Sequence, residues 1–550
     1  MAKNNLLLGN GQALVGPTEW PTVGRPKPDV YSLAESRERL HPQLELFDSQ
    51  ARNVPAAAAP RGEVVGKILV HPEYLAKSHF PAKVLRSVGL RVVGTRSRSV
   101  QPRRRNRKTN PDDPMLTAEL LVAGTHQQFH RLDAELMGGH STAMLRDLSR
   151  IEEIGFMAPE DRIRSLRPVA GVGAWVYLEA VLHADELDDD IVAAFAMWAQ
   201  ECGGRADVGR AMAIDSLTFL PVHVPQISVN DLARFSHLRV IRSVVPLRHH
   251  ESSLRGTRPL VPLRIPADPP VAPDIRVAVF DGGLAAPAIA AHATERMWPE
   301  TTVTSDDFLE HGALVTSAVL YGPVDSTAKV LPRPYAHVDH YRIATPHDET
   351  DPEMFDAVRR ICEVLDEGRH QFANISLAPS IPVEDDDVHL WTSALEKRLA
   401  SGRVLLTVAA GNDGDLAYPG SRVQVPSDLV NAVAVGASSA PGGLVSRWAK
   451  SSIGPGRSPG LIKPDGIAWG SAVPLYDPRS GHIVAMEGTS VAAPLALRTA
   501  VGAAALANGV SSVMSRALLV HTAERSKGSS QAEIGHGRFC HDPLDLITCG

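Results

Sequence analysis

Gly488-Thr489-Ser490-Val491-Ala492-Ala493-Pro494 sets a serine among small residues, ahead of an apolar, Ala-rich run that reaches about Leu506. That composition suits a serine lifted at the start of a buried helix, with glycine permitting a tight backbone approach just before it. Pro494 is read in the first helical turn, where its missing N–H costs no intrahelical bond. Gly-Thr-Ser also occurs in ordinary loops, so the stretch gains its meaning from what precedes it.

Ile275-Arg276-Val277-Ala278-Val279-Phe280-Asp281-Gly282-Gly283 is an apolar run bounded by glycines, the pattern of a strand buried on both faces in a parallel sheet. It carries Asp281 at its C-terminal end, where such sheets place their sites; a turn or capping aspartate is the plainer alternative. His311 then opens an apolar helix that runs to Gly322. The helix dipole disfavours a charged imidazole at that end, and a neutral one can act as a base. Phe372–Ala378 and Val404–Gly414 read as two more strands ending in small and amide residues, with a helix at Trp391–Ala400 between them.

Taken in order, these stretches resemble the subtilisin-like serine peptidases. Asp281, His311 and Ser490 follow the Asp…His…Ser order of that family. Ser376-Leu377, Ala409-Ala410-Gly411-Asn412-Asp413-Gly414, Ile462-Lys463-Pro464-Asp465-Gly466-Ile467-Ala468 and Gly535-His536-Gly537-Arg538-Phe539 are similar to further family motifs. The resemblance covers about residues 274–548.

It implies a doubly wound, mostly parallel α/β catalytic domain at 274–550. It also implies roles. His311 would take the proton of Ser490 as the hydroxyl attacks, and Asp281 would hold the imidazole's tautomer. The Asn412 amide and the Ser490 N–H would hold the oxyanion, one such donor being worth roughly 3–4 kcal/mol. Ser376, Leu377 and Ala378, with Gly488 and Thr489, would bind the substrate, the strand pairing with its extended backbone.

The chain departs from the family in four places. Gly282 stands where Ser or Thr is usual after the aspartate, and Ala313-Leu314 replace Thr-His. Ala378-Pro379 replace glycines along the substrate strand, and Trp469 replaces a proline.

The 550 residues exceed one ordinary domain. With 44% hydrophobic and 21% charged residues the composition is globular, and a net charge of −6 gives no general pull toward nucleic acid. No secretory signal is read at the start and no apolar run approaches the roughly 20 residues of a membrane span. The four cysteines are then expected as reduced thiols in a cytoplasmic protein. Cys540 and Cys549 lie near His536 and His541, but their spacing matches no zinc pattern. No cofactor is expected; calcium is frequent in the family, yet no oxygen-ligand loop stands out.

Upstream of the catalytic half, residues 1–60 read as a loosely attached leader with a short helical phase near Tyr31–Leu46. Residues 61–145 read as a small β-α-β module, and 146–250 as a ferredoxin-like α+β module similar to the propeptides of subtilisin-like enzymes. Proline-rich 251–273 is a linker. The arginine-rich run 96–108 is expected as a solvated loop, with a phosphate contact as the alternative; lacking interleaved aromatics, it does not favour nucleic acid as a partner.

The expectation is an intracellular serine endopeptidase gated by its N-terminal region or a partner. The alternative is a catalytically silent binding module. The layout also resembles the cytoplasmic bacterial subtilases paired with an AAA-type ATPase in defence or plasmid-maintenance modules. The expected partners are therefore a protein or peptide substrate and an AAA-type ATPase, with no membrane.

Overall fold

The computed structural model describes residues 29–548, except 77–78, 106–112, 139–141, 168, 170, 172, 245–254, 258–262, 347–350, 352–353, 459 and 508. Leader residues 1–28, Arg107 and Lys108 of the basic run, most of the linker's first half and Cys549 lie outside the described residues. The chain divides into two compact units, one within Pro17–Val244 and one within Val245–Gly550.

The first unit opens on α1 (Leu33–Ala51), started by a capping box in which Ser32 and Glu35 satisfy each other's backbone N–H groups. Leu40, Leu44, Phe47 and Ala51 are buried along one face, so residues 33–51 belong to a core and not to a loose leader. Pro42, inside the helix, had broken up the spacing of that stripe in the sequence.

The first module continues with β1 (Glu63–Val70), α2 (Ala82–Val88), β2 (Arg91–Val100), β3 (Met115–Thr125), α3 (His126–Gly138), α4 (Thr142–Leu148) and β4 (Ile151–Phe156). Its antiparallel sheet runs β2-β3-β1-β4. The second module holds β5 (Ile163–Arg164), β6 (Trp175–Leu182), α5 (Asp189–Glu201), β7 (Arg205–Ala206), β8 (Met212–Ile214), β9 (Leu217–Pro225), α6 (Val229–Leu232) and β10 (Leu238–Ser243). Its sheet runs β5-β10-β6-β9-β7.

Counted through the main strands, both sheets share the order fourth-first-third-second with a helix after the first and third strands. The ferredoxin-like arrangement expected once therefore occurs twice. The first module is larger than a β-α-β unit, and its last strand lies beyond the expected boundary at 145.

Arg96 and Arg98 sit in β2 rather than in a loop. The buried Arg96 guanidinium donates to the Arg239 carbonyl at 2.8 Å, and Arg98 pairs with Glu119 on β3 at 3.0 Å.

The second unit contains β11 (Arg255–Thr257), β12 (Arg276–Asp281), β13 (Ala293–Met297), α7 (Asp306–Leu320), β14 (His337–Arg342), α8 (Phe355–Asp366), β15 (Phe372–Ile375), α9 (Leu390–Leu399), β16 (Leu405–Ala409), β17 (Val433–Ser438), β18 (Gly466–Trp469), β19 (Val473–Tyr476), β20 (Ile483–Met486), α10 (Thr489–Leu506) and α11 (Ser512–His521). Seven strands form one sheet in the order β13-β14-β12-β15-β16-β17-β18, every pair parallel. This is the doubly wound, subtilisin-like sheet. Chain order reverses around β12, and the carboxyl ends of strands at such a switch point open a crevice for ligands.

Helix α10 packs across β15, β16, β17 and β18 and against α7. It is apolar nearly all round, as a helix enclosed by its own fold must be. Its length and composition alone would allow it to cross a membrane, but it is 78% buried inside the unit.

Candidate active site

Asp281 ends β12 and is fully buried, its Oδ1 accepting the Gly282 N–H at 2.8 Å. Its Oδ2 has no hydrogen-bond partner among the described residues. Gly282 explains the gap in part, since it has no hydroxyl to offer. Its lack of a side chain has a steric cause as well: a Cβ there would lie 2.4 Å from Cδ1 of Phe308, which packs directly on the backbone.

His311 does not open its helix. Helix α7 starts five residues earlier, at Asp306, with the Ser305 hydroxyl accepting from Phe308 N and two aspartates in the first turn. His311 stands in the second turn, where the helix N-terminus no longer governs its charge. Its Nδ1 lies 2.8 Å from Asp281 Oδ1. A carboxylate only accepts, so Nδ1 carries the proton and Nε2 keeps its lone pair. Burial works against the imidazolium, but the Asp281 charge and hydrogen bond outweigh it and raise the His311 pKa.

Ser490 is the second residue of α10 and is buried at 2% exposure. Gly488 precedes the helix at φ +126°, and a Cβ there would stand 3.1 Å from Asn412 Nδ2. The Asn412 amide oxygen accepts both the Thr489 N–H at 2.8 Å and the Thr489 hydroxyl at 2.9 Å. Pro494 lies in the second turn of α10, not the first.

One cleft of about 680 Å³, open to solvent, is lined by Asp281, His311, Asn412, Thr489 and Ser490. Ser376, Leu377 and Ala378, which follow the end of β15 at Ile375, line it too, with Pro379 and Ser380. Asp413 forms part of the wall and accepts hydrogen bonds from Ser380 and Gln424. No lysine or arginine is among the described lining residues.

Phe308, Asn374, Thr407 and Gln424 were not foreseen from the sequence. Asn374 and Thr407 are buried polar residues in apolar strands, and that contrast was their only signal. No group of three or more His, Cys, Asp or Glu side chains is placed to hold a metal among the described residues.

No curated protein matches the chain. Among solved structures, it is similar to the prenylagaramide maturation protease PagA at 23% identity and TM-score 0.38, over 50% of this chain and 92% of that one. It is similar to the self-cleaved protease domain of PatA at 23% identity and TM-score 0.37, over 50% and 95%. Fervidolysin from Fervidobacterium pennivorans, a keratinolytic enzyme related to subtilisin, shares 14% identity at TM-score 0.48, over 71% of this chain and 63% of its own. Residues 272–537 match the Peptidase_S8 model, the subtilase family. The segment that supplies Asp281, His311, Asn412 and Ser490 is thus a subtilase-family domain.

Proposed function

We propose that the chain is a serine endopeptidase. Ser490 Oγ attacks a peptide carbonyl while His311 Nε2 takes its proton, and His311 then gives that proton to the leaving amine. Water, activated by the same base, releases the acyl group. The Asn412 amide and the Ser490 N–H, a donor without an intrahelical partner at the start of α10, stabilise the oxyanion. The substrate runs extended along 376–378.

The observation that carries this reading is the convergence of all four groups on one cleft, with His311 held 2.8 Å from Asp281. The test is labelling of the purified chain by a fluorophosphonate, together with hydrolysis of a peptide library. Ser490→Ala is expected to fold and to lose both. Labelling that survives the substitution overturns the assignment.

One observation favours the silent binding module instead: no hydrogen bond joins His311 Nε2 to Ser490 Oγ in this structure. Such contacts often tighten only when a ligand is present. Labelling of the wild-type chain decides between the two.

We place the enzyme in the cytoplasm, with an AAA-type ATPase as partner and the module before the catalytic half as its gate. The support for the gate is its propeptide-like topology and its place in the chain. Probe labelling with and without the purified ATPase and ATP tests the partner.

A further inference from the structure

Among the buried imidazoles of the second unit, His340 stands beside Asp281 and His311 without belonging to the triad. His340 is fully buried on β14, which runs parallel to β12 with Val279 opposite His340 and Asp281 opposite Arg342. Its Nε2 accepts the Gly283 N–H at 3.1 Å. Its Nδ1 lies 2.8 Å from the Thr316 hydroxyl, and with Nε2 accepting, Nδ1 is the donor.

One neutral ring therefore joins two elements. Gly283 belongs to the loop just after Asp281, and Thr316 sits on α7 little more than one turn beyond His311. Packing closes the same joint. A Cβ on Gly312 would fall 2.1 Å from the Gly283 carbonyl oxygen and 2.8 Å from His340 Cε1, so loop and helix touch beside the ring.

Burial pushes the His340 pKa down to about 4, which keeps the ring neutral and able to accept. The charged and titratable groups facing it are Asp281 on β12, Glu295 on β13, His311 on α7 and Arg342 on its own strand.

We propose that His340 is a positioning residue: it clamps the Asp281 loop to α7 so that carboxylate and imidazole stay at hydrogen-bonding distance. The clamp matters here because the Asp281 carboxylate, unlike its strand backbone, which accepts the Ile343 N–H at 3.1 Å, has few other restraints. Oδ1 meets only the Gly282 N–H and His311, and Oδ2 meets nothing described. The backbone at 282–283 then sets where the carboxylate points, and His340 fixes that backbone. The inference rests on the peptidase reading given above.

The experiment compares His340→Gln, which retains an acceptor for Gly283, with His340→Leu, which fills the space without one. Turnover is measured per fluorophosphonate-titrated site, alongside KM and the low-field NMR signal of the His311 Nδ1 proton. His340→Leu is expected to lower kcat about tenfold or more with KM little changed, and to shift or broaden the signal. His340→Gln is expected to recover most of both. If His340→Leu does not fold, Thr316→Val removes the helix side of the clamp and is expected to give the same losses in weaker form. Wild-type kcat and an unmoved signal in the variant that folds overturn the proposal. A wild-type chain that neither labels nor cleaves overturns the peptidase reading instead, and the NMR comparison still judges His340.

Discussion

The Ser376 hydroxyl donates to the Ser490 carbonyl at 3.0 Å, in place of the helical donor that Pro494 withholds from it. In an uninterrupted α-helix the N–H of residue 494 would bond to the carbonyl of residue 490; proline has none to give. The Asn374 amide donates to Ser376 Oγ at 2.8 Å, and the Thr407 hydroxyl donates to Asn374 Oδ1 at 3.0 Å. Three hydrogen bonds thus run from the sheet interior to the backbone of Ser490.

Ser376→Ala is expected to cost about 1 kcal/mol of stability and to lower kcat several-fold, because the Ser490 carbonyl and the Asn374 amide both lose a buried partner. Pro494→Ala supplies the helical donor instead. A double-mutant cycle on the two substitutions, read by thermal denaturation and kcat, should show non-additivity of at least about 0.5 kcal/mol. Simple additivity would contradict the link.

Asn412→Ala is expected to reduce kcat roughly 10²–10³-fold with a small change in KM. It also strips the acceptor from the Thr489 N–H and hydroxyl, so the melting temperature should fall. Asn412→Asp keeps that acceptor but loses the amide donors. It should therefore recover stability without recovering turnover.

The pH profile follows from the raised His311 pKa. The base works only when neutral, so kcat/KM should rise with pH through a point higher than that of an ordinary imidazole. In Asp281→Asn the attraction that raises the pKa is gone and burial remains. The rising limb should move to lower pH while its plateau drops steeply. A limb that stays in place would show that another group sets it.

Gly282→Ser tests why the family hydroxyl is missing here. The new Cβ would meet Phe308 at 2.4 Å, and overpacking of that kind typically costs about 1–3 kcal/mol. Paired with Phe308→Ala, the serine should be tolerated better than either single change predicts and should offer Asp281 Oδ2 a donor. Calorimetry on the three variants measures the difference.

Arg96→Ala is expected to destabilise the first unit by about 1–3 kcal/mol, since the Arg239 carbonyl loses a buried charged donor. Nucleic-acid binding should not change. A salt-dependent loss of binding with stability intact would reverse this assignment.

The catalytic half was legible because its signals are local. Parallel strands such as β12 are unbroken apolar runs, and Asp281, Asn412 and Ser490 stand at strand ends or a helix start, flanked by glycines. Where α7 begins was less legible. The Ser305-Asp306-Asp307 start was present, but the apolar stretch that draws the eye begins only after His311. The basic run misled because arginine density suggested solvent, while the alternation Thr95-Arg96-Ser97-Arg98-Ser99 carried the strand period. The doubling of the ferredoxin-like order was hidden for a different reason. It lay in the first module, whose fourth strand, β4, falls past the boundary read at 145 and so was counted with the wrong segment.

The order of the chain also sets a timetable. Asp281 on β12 and His311 on α7 come early in the second unit, whereas Ser490 arrives with α10, the helix that covers four strands of its seven-stranded sheet. A ribosome emits the chain N-terminus first, and domains fold as units while they emerge. The unit within Pro17–Val244 has cores of its own and can be complete while Ser490 is still untranslated. On the peptidase reading, a nascent chain therefore carries no complete site until α10 has been made.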